Sequence, residues 1–144
     1  MNNLKVIIFL GFFFLSAPVL GAETLEGSYR ATVLEVIDGD TFWARVRIWL
    51  GQETEILMRL DGIDTPELRG KCARERALSV QAKKKLETLI DQKIVTLSHI
   101  RYGKYAGRIL ATVQLPDQTP NISDLMLAGT VARSYHGRKR VSWC

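Results

Sequence analysis

Apolar and polar residues alternate with a period of two along much of the chain, and this alternation is typical of half-buried β-strands. The first such stretch, RATVLEVI, covers residues 30–37 and ends at DGD, in which Asp and Gly favour a tight turn. The second, TFWARVRIWL, covers residues 41–50, and GQE separates it from the third, TEILMRL, at residues 54–60. Three strands with short connections are expected to form an antiparallel meander.

A helical period follows. In CARERALSVQAKKKLETLI, residues 72–90, apolar side chains recur every three or four positions, which predicts an amphipathic helix packed by one face. Two more strands are predicted at residues 93–100 and 108–115, and then a short helix in ISDLMLAG with Gly129 as its C-terminal cap. Five short strands in a small domain avoid open edges by closing on themselves. The pattern therefore predicts an α+β fold, mainly β, with a five-stranded β-barrel and two packed helices.

The N-terminal segment follows neither period. Lys5 precedes an apolar run that extends to Leu15, and small residues follow around Ala22. This order is typical of a secretory signal peptide, and the run is short for a membrane span. We expect residues 1–22 to be a signal peptide and residues 23–144 to be a single domain, exported to the periplasm or the medium, without stable membrane association. An uncleaved anchor helix is the alternative.

Charge and cysteine content narrow the choice of partners. The 144-residue chain has a formal net charge of +5, which favours polyanions such as nucleic acid, anionic lipid or acidic polysaccharide. Its two cysteines, Cys72 and Cys144, are expected to form a disulfide in an oxidising compartment, with two free thiols as the alternative. No His or third Cys stands at ligand spacing near either one, so a zinc site is not expected there.

Acidic residues follow two of the predicted strands, and a barrel that brings those strand ends together would make the carboxylates converge. Asp40 lies in the turn after the first strand, and Asp64 and Glu67 lie in LDGIDTPE after the third. Unit charges of like sign about 4 Å apart repel by about 4 kcal/mol at an effective dielectric constant of about 20, and a hard divalent cation relieves this repulsion. Calcium binds carboxylate and carbonyl oxygens, which suits Asp40, Asp64 and the carbonyl of Thr65.

Arginine residues flank this predicted acidic cluster. Arg59 lies at the end of the third strand and Arg108 at the start of the fifth, and guanidinium groups present paired donors that match phosphate oxygens. With Glu67 as the group that takes a proton from water, these residues predict a site for phosphodiester hydrolysis. Asp38 and Asp61 are expected to serve turns.

Three segments, ATVLEVIDGDT, RLDGIDTPE and GKYAGR, resemble in order and spacing the thermonuclease family typified by staphylococcal nuclease. The resemblance extends from about residue 29 to residue 135. It implies an OB-fold barrel and a calcium-dependent endonuclease, expected to be a monomer, that cleaves DNA and RNA, with single strands preferred, and leaves 3′-phosphate ends.

The resemblance also implies a role for each matching residue. The metal ligands would be Asp40, Asp64 and the carbonyl of Thr65, the general base Glu67, the phosphate-binding arginines Arg59 and Arg108, and the nucleotide contacts Lys104, Tyr105 and Tyr135. Two features depart from the family pattern. Ala106 is an extra residue in KYAGR, and GRKRVSWC replaces a long C-terminal helix. The GRKR run fits a track for the phosphate backbone or a solubilising tail equally well, and a Cys144 disulfide is a candidate substitute for the missing helix.

Three other classes of protein remain open. A non-catalytic OB-fold module that binds nucleic acid would keep the barrel and the basic face, but would be expected to lose some of the charged site residues. All five are present here: Asp40, Asp64, Glu67, Arg59 and Arg108. A metal-dependent phosphodiesterase specific for a small nucleotide would share the site. A purely structural secreted protein would account for a disulfide but not for the clustered charges.

Overall fold

The computed structural model describes residues 23–103 and 107–144. In chain order, the elements are β1 (Thr24–Leu25), β2 (Tyr29–Val36), β3 (Thr41–Trp49), β4 (Gln52–Leu60), β5 (Ile63–Asp64), α1 (Ala73–Ile90), β6 (Ile94–Tyr102), β7 (Ile109–Gln114), α2 (Ile122–Leu127) and β8 (Arg133–Ser134). The five long strands and two helices lie where the sequence periods predict them, with ends that differ by at most two residues.

The five long strands close into a barrel. They follow the order β6-β2-β3-β4-β7, and β6 also pairs with β7. The β4–β7 pair is parallel, whereas the other pairs are antiparallel. This closed, mixed five-stranded barrel with two helices confirms the predicted OB-fold, and closure leaves the long strands without a free sheet edge between them.

A bulge in β2 interrupts the alternation of buried and exposed residues. Ala31 and Val33 are buried, but the next buried residue is Val36, and Glu35 is exposed. The register with β3 shifts between Val33 and Glu35, which inserts one extra residue into β2. Strict alternation after Ala31 and Val33 would turn Glu35 toward the core. The bulge reverses the faces of the residues that follow it, so Glu35 lies in solvent and Val36 is buried.

The two helices pack their apolar residues against the barrel core. Ala82, Leu86 and Ile90 of α1 are fully buried, as are Ile122 and Met126 of α2. The core they join is lined by alternate residues of the five long strands, such as those of β3. The stripe that the helical period predicts, Leu78, Ala82, Leu86 and Leu89, is confirmed in part, because Ala82 and Leu86 are buried whereas Leu78 and Leu89 are partly buried against the core.

The predicted role of Gly129 as a helix cap is wrong. Helix α2 ends at Leu127 with Ala128 as its cap residue, and Gly129 does not have the positive φ of a left-handed cap. Lys85 of α1 instead donates from Nζ to the carbonyl of Met126 at 3.2 Å, so this terminal carbonyl has a partner without a glycine turn.

A two-residue strand pair brings the C-terminal part of the chain to the acidic segment. β5 pairs antiparallel with β8, with Ile63 opposite Ser134 and Asp64 opposite Arg133. The N–H of Tyr135 then donates to the carbonyl of Gly62 at 2.9 Å. Strands of two residues have no measurable period, so the sequence did not predict this pairing.

No helix in the described part of the chain is both long enough and apolar enough to span a membrane. The predicted signal peptide, residues 1–22, lies outside the described residues and stays a prediction.

The structure confirms the predicted disulfide. Cys72 is bonded to Cys144, with the two Cα atoms 6.0 Å apart and a sequence separation of 72 residues. The bond fixes the last residue of the chain beside the start of α1. The residues just before Cys144 must therefore lie near the loop that carries Glu67.

Removal of this bond is expected to destabilise the fold. The Cys72→Ser/Cys144→Ser double variant should lose about 4 kcal/mol of unfolding free energy, because a cross-link across a loop of this length restricts the unfolded chain. Urea denaturation of the variant and the oxidised wild type measures the difference. A loss below about 1 kcal/mol would contradict the expectation, and a mass increase of two hydrogens on reduction of the wild type is the control for the bond itself.

Candidate active site

Two buried aspartates lie at the same end of the barrel. Asp40 directly precedes β3, and its backbone carbonyl accepts a 2.8 Å hydrogen bond from the N–H of Leu60, at the end of β4. Asp64 ends β5, shortly after Leu60. The side chains of Asp40 and Asp64 are 2% and 5% exposed. Buried carboxylates need compensating charge or hydrogen bonds from their surroundings.

The guanidinium of Arg59 joins the two aspartates. Arg59 lies opposite Thr41 in the β3–β4 register, which places its side chain next to Asp40. Its Nη1 is 2.7 Å from Oδ1 of Asp40, its Nη2 is 3.6 Å from Oδ1 of Asp64, and Nη2 also donates to the carbonyl of Ile63 at 3.5 Å. The arginine predicted to bind phosphate is thus paired with the carboxylates in this structure.

The carboxyl of Asp40 is in an unfavourable environment for its charge. Burial raises the pKa of Asp40 to about 7, against the lowering effect of Arg59, and the charge of Asp38 adds to the rise. The hydroxyl of Thr41 donates to Oδ1 of Asp40 at 2.9 Å. Asp38 itself accepts the N–H of Asp40 at 3.1 Å, which is the contact expected of a turn residue.

The two carboxylate oxygens of Asp64 have different partners. Oδ2 accepts a 3.2 Å hydrogen bond from the indole Nε1 of Trp143, a residue that is itself buried. Oδ1 is buried and has no hydrogen bond within the described residues. Nη2 of Arg140 lies 2.6 Å from Oδ1, but this ion pair lacks hydrogen-bond geometry. The partners of Oδ1 are therefore the guanidiniums of Arg140 at 2.6 Å and Arg59 at 3.6 Å.

Arg140 is the second guanidinium in the site. Its Nη1 is paired with Oε1 of Glu67, and its Nη2 donates to the carbonyl of Thr65 at 3.2 Å in addition to facing Asp64. Partial burial alone would lower the pKa of Arg140, but the ion pairs with Glu67 and Asp64 raise it above its usual value. Arg140 stays charged and bridges Asp64, Thr65 and Glu67.

Close packing of the DGD turn holds Thr65 near Asp40. A Cβ on Gly39 would lie 2.6 Å from the Cβ of Ala82 in α1 and 2.8 Å from the hydroxyl oxygen of Thr65. Both distances are too short for any side chain, so glycine is required for this approach. The turn after β2 and the loop after β5 are consequently in direct contact.

The oxygen atoms of this site fit a hard divalent cation. Asp40, Asp64 and the carbonyl of Thr65 are oxygen donors, and the buried Oδ1 of Asp64 already faces the positive charges of Arg140 and Arg59. A separate group, Cys72, Glu75 and Cys144, has donor atoms within 4.8 Å of one another. Its two sulfurs form the disulfide and are not thiolates, so this group does not hold a metal while the bond is intact.

Other predicted site residues are less closely tied to the carboxylates. Arg108 is exposed and directly precedes β7. In the parallel pairing of β4 with β7, Leu110 lies opposite Arg59. Within the described residues, no ion pair joins Arg108 to the acidic cluster. Tyr135 is half-buried next to β5. Lys104 and Tyr105 lie outside the described residues.

The sequence did not single out Arg140 or Trp143 as site residues. Arg140 belongs to the basic run GRKR, whose position the sequence does not fix, and Trp143 has no motif around it. The predicted disulfide is the feature that could have indicated them. Cys72 lies shortly after Glu67, and Cys144 lies shortly after Arg140 and Trp143. A bond between these cysteines places the tail beside the acidic loop.

A barrel of this topology with an acidic, arginine-rich site at one end defines a nuclease-like or nucleic-acid-binding OB-fold protein. The family model described as "Staphylococcal nuclease homologue" matches residues 57–142, more than half of the chain. The chain belongs to this family. No curated protein matches the chain.

Proposed function

We propose that this chain is a calcium-dependent nuclease that hydrolyses phosphodiester bonds in DNA and RNA and leaves 3′-phosphate ends. The observation that carries the proposal is the convergence of Asp40, Asp64 and Arg59 at one end of the barrel, where both carboxylates are buried. Buried charges are costly, and groups of them in one place are typical of active sites. Family membership supports the broader class.

Calcium would be held by Asp40, Asp64 and the carbonyl of Thr65. When bound, it supplies positive charge that stabilises the phosphate oxygens as negative charge develops on them. Calcium is favoured over zinc because all of these donors are oxygen atoms and the site contains no histidine or thiolate.

Glu67 would act as the general base. Its side chain is 57% exposed, so a water molecule can reach it, and buried Pro66 restrains the backbone just before it. The carboxylate takes a proton from water while the water oxygen bonds to phosphorus. The bond from phosphorus to the 5′ oxygen breaks, and that oxygen leaves and takes up a proton from solvent.

The arginines would stabilise the charge that develops on the phosphate. Arg59 already lies at the aspartates, and Arg108 directly precedes β7, the strand that runs parallel to β4. Positively charged donors near the reacting phosphate lower the barrier because its negative charge increases in the transition state. Lys104, Tyr105 and Tyr135 would contact the nucleotide, and a single strand would offer unpaired bases for stacking on the two tyrosines.

Export is part of the proposal. Residues 1–22 would direct the chain out of the cytoplasm, and residues 23–144 would act as a monomer in the periplasm or the medium. The Cys72–Cys144 disulfide supports this location because such bonds persist in oxidising compartments.

Incubation of the purified protein with single-stranded DNA, with RNA and with small nucleotide diesters, each with calcium, tests the proposal. Cleavage of both polymers is the expected result. Polymers that are bound but remain intact would favour the nucleic-acid-binding module, and cleavage of only the small diesters would favour a nucleotide-specific phosphodiesterase.

A further inference from the structure

Arg140 occupies the oxygen atoms that the proposed calcium site needs. Its Nη2 is 2.6 Å from Oδ1 of Asp64 and 3.2 Å from the carbonyl oxygen of Thr65. These are two of the three proposed metal-binding groups. Calcium binds oxygen ligands at about 2.3–2.6 Å, so a calcium ion on this oxygen pair would place two positive charges side by side, which repel one another. The two cations therefore compete for these oxygens.

The C-terminal segment, residues 137–144, holds Arg140 in this place. Trp143 is buried and donates to Asp64, and the guanidinium of Arg133 lies 3.7 Å from the centre of the Trp143 ring. Arg133 also donates to the carbonyl of Ser142 at 3.0 Å. With Cys144 bonded to Cys72, both the indole and the chain end are fixed. A tethered cation has a high effective concentration at its site.

We infer that Arg140 is a built-in competitor of the divalent cation and sets the calcium affinity of the site, an inference that rests on the proposed function. In the absence of calcium, the guanidinium neutralises Asp64 and pairs with Glu67, the proposed base. Calcium binding requires Nη2 to leave Asp64 and Thr65. Because the same guanidinium contacts Glu67, calcium binding also weakens the ion pair between Arg140 and Glu67.

The position of Arg140 distinguishes this role from that of a phosphate-binding arginine. Its Nη1 contacts Glu67, the proposed base, and its Nη2 contacts two proposed metal ligands, Asp64 and the carbonyl of Thr65. A guanidinium that only bound substrate would not need to contact the carbonyl of Thr65. A solubilising role is also excluded for this residue, since its side chain is engaged with a buried carboxylate.

Calcium titration of the full mature protein by isothermal calorimetry tests the inference. The variant Arg140→Gln removes the guanidinium and its charge and keeps a polar side chain. It should bind calcium about tenfold more tightly than wild type if the wild-type site is free of Arg140 for about a tenth of the time. The matched control is Arg138→Gln, which removes a charge from the same exposed segment and should change the affinity by less than about threefold. Asp64→Asn should abolish the binding heat in wild type and in Arg140→Gln, which assigns the heat to this site.

The outcomes separate the inference from the proposed function. Equal or weaker calcium binding by Arg140→Gln, with Asp64-dependent binding in wild type, would overturn the inference and leave the nuclease proposal standing. An equal gain of affinity in Arg138→Gln would also overturn it, because the effect would then come from the general charge of the tail. If no Asp64-dependent binding is found in either protein, the calcium site and the inference are both wrong. Urea denaturation in chelator shows that each variant is folded.

Discussion

The Glu67→Gln variant is expected to turn over roughly two to four orders of magnitude more slowly than wild type, because glutamine cannot accept the proton of the attacking water. The carboxylate of Glu67 is exposed and lies in the loop that carries Asp64 and Thr65. The measurement is single-turnover cleavage of single-stranded DNA. It should be made at saturating calcium, because the loss of the Glu67 charge also removes one ion-pair partner of Arg140.

A matched control is Glu53→Gln, which removes an exposed carboxylate paired with Arg47 in the β3–β4 hairpin. Its turnover should stay close to that of wild type, since surface ion pairs contribute little to stability and this one is not part of the site. Turnover of Glu67→Gln within about threefold of wild type, less than 1 kcal/mol in the barrier, would exclude Glu67 as the base.

Removal of calcium with an excess of chelator is expected to reduce cleavage to the uncatalysed background while the fold persists. The barrel core is formed by apolar side chains of the long strands and both helices, and the disulfide adds a covalent link, so the elements do not depend on the metal. In the absence of the metal, Arg59 and Arg140 partly neutralise the carboxylates of the site. Cleavage and far-ultraviolet circular dichroism are measured on the same sample.

Restoration of activity by excess calcium is the control for damage by the chelator. Cleavage that continues in excess chelator would reject the role of the metal. Loss of the circular dichroism signal would show instead that the metal is structural, as in domains whose folding free energy comes from metal binding.

The long elements could be predicted because burial imposes a period on the sequence. Alternate residues of β3, namely Phe42, Ala44 and Val46, face the core, and their pattern is visible in the letters alone. The bulge in β2 could not be predicted, because it depends on how β2 pairs with β3. The pairs of two residues, such as β5 with β8, are stabilised by their surroundings and have no pattern of their own.

The site could be predicted in part. Asp40 and Asp64 come together because each follows a strand that ends at the same end of the barrel, and strand ends are readable from the sequence. The ion pairs of Arg59 with both aspartates were not predicted. The sequence indicates which charged residues lie in the same region, but not which of them form ion pairs with one another. Arg140 reaches the site through a tail whose position depends on the disulfide and on the burial of Trp143.

The most direct test of the nuclease assignment is the chemical identity of the DNA ends after digestion with the wild-type protein. A 5′-labelled single strand incubated with calcium should give fragments that end in 3′-phosphate, and Glu67→Gln should give almost none under the same conditions. Single strands that remain intact at enzyme concentrations equal to the substrate would contradict the assignment.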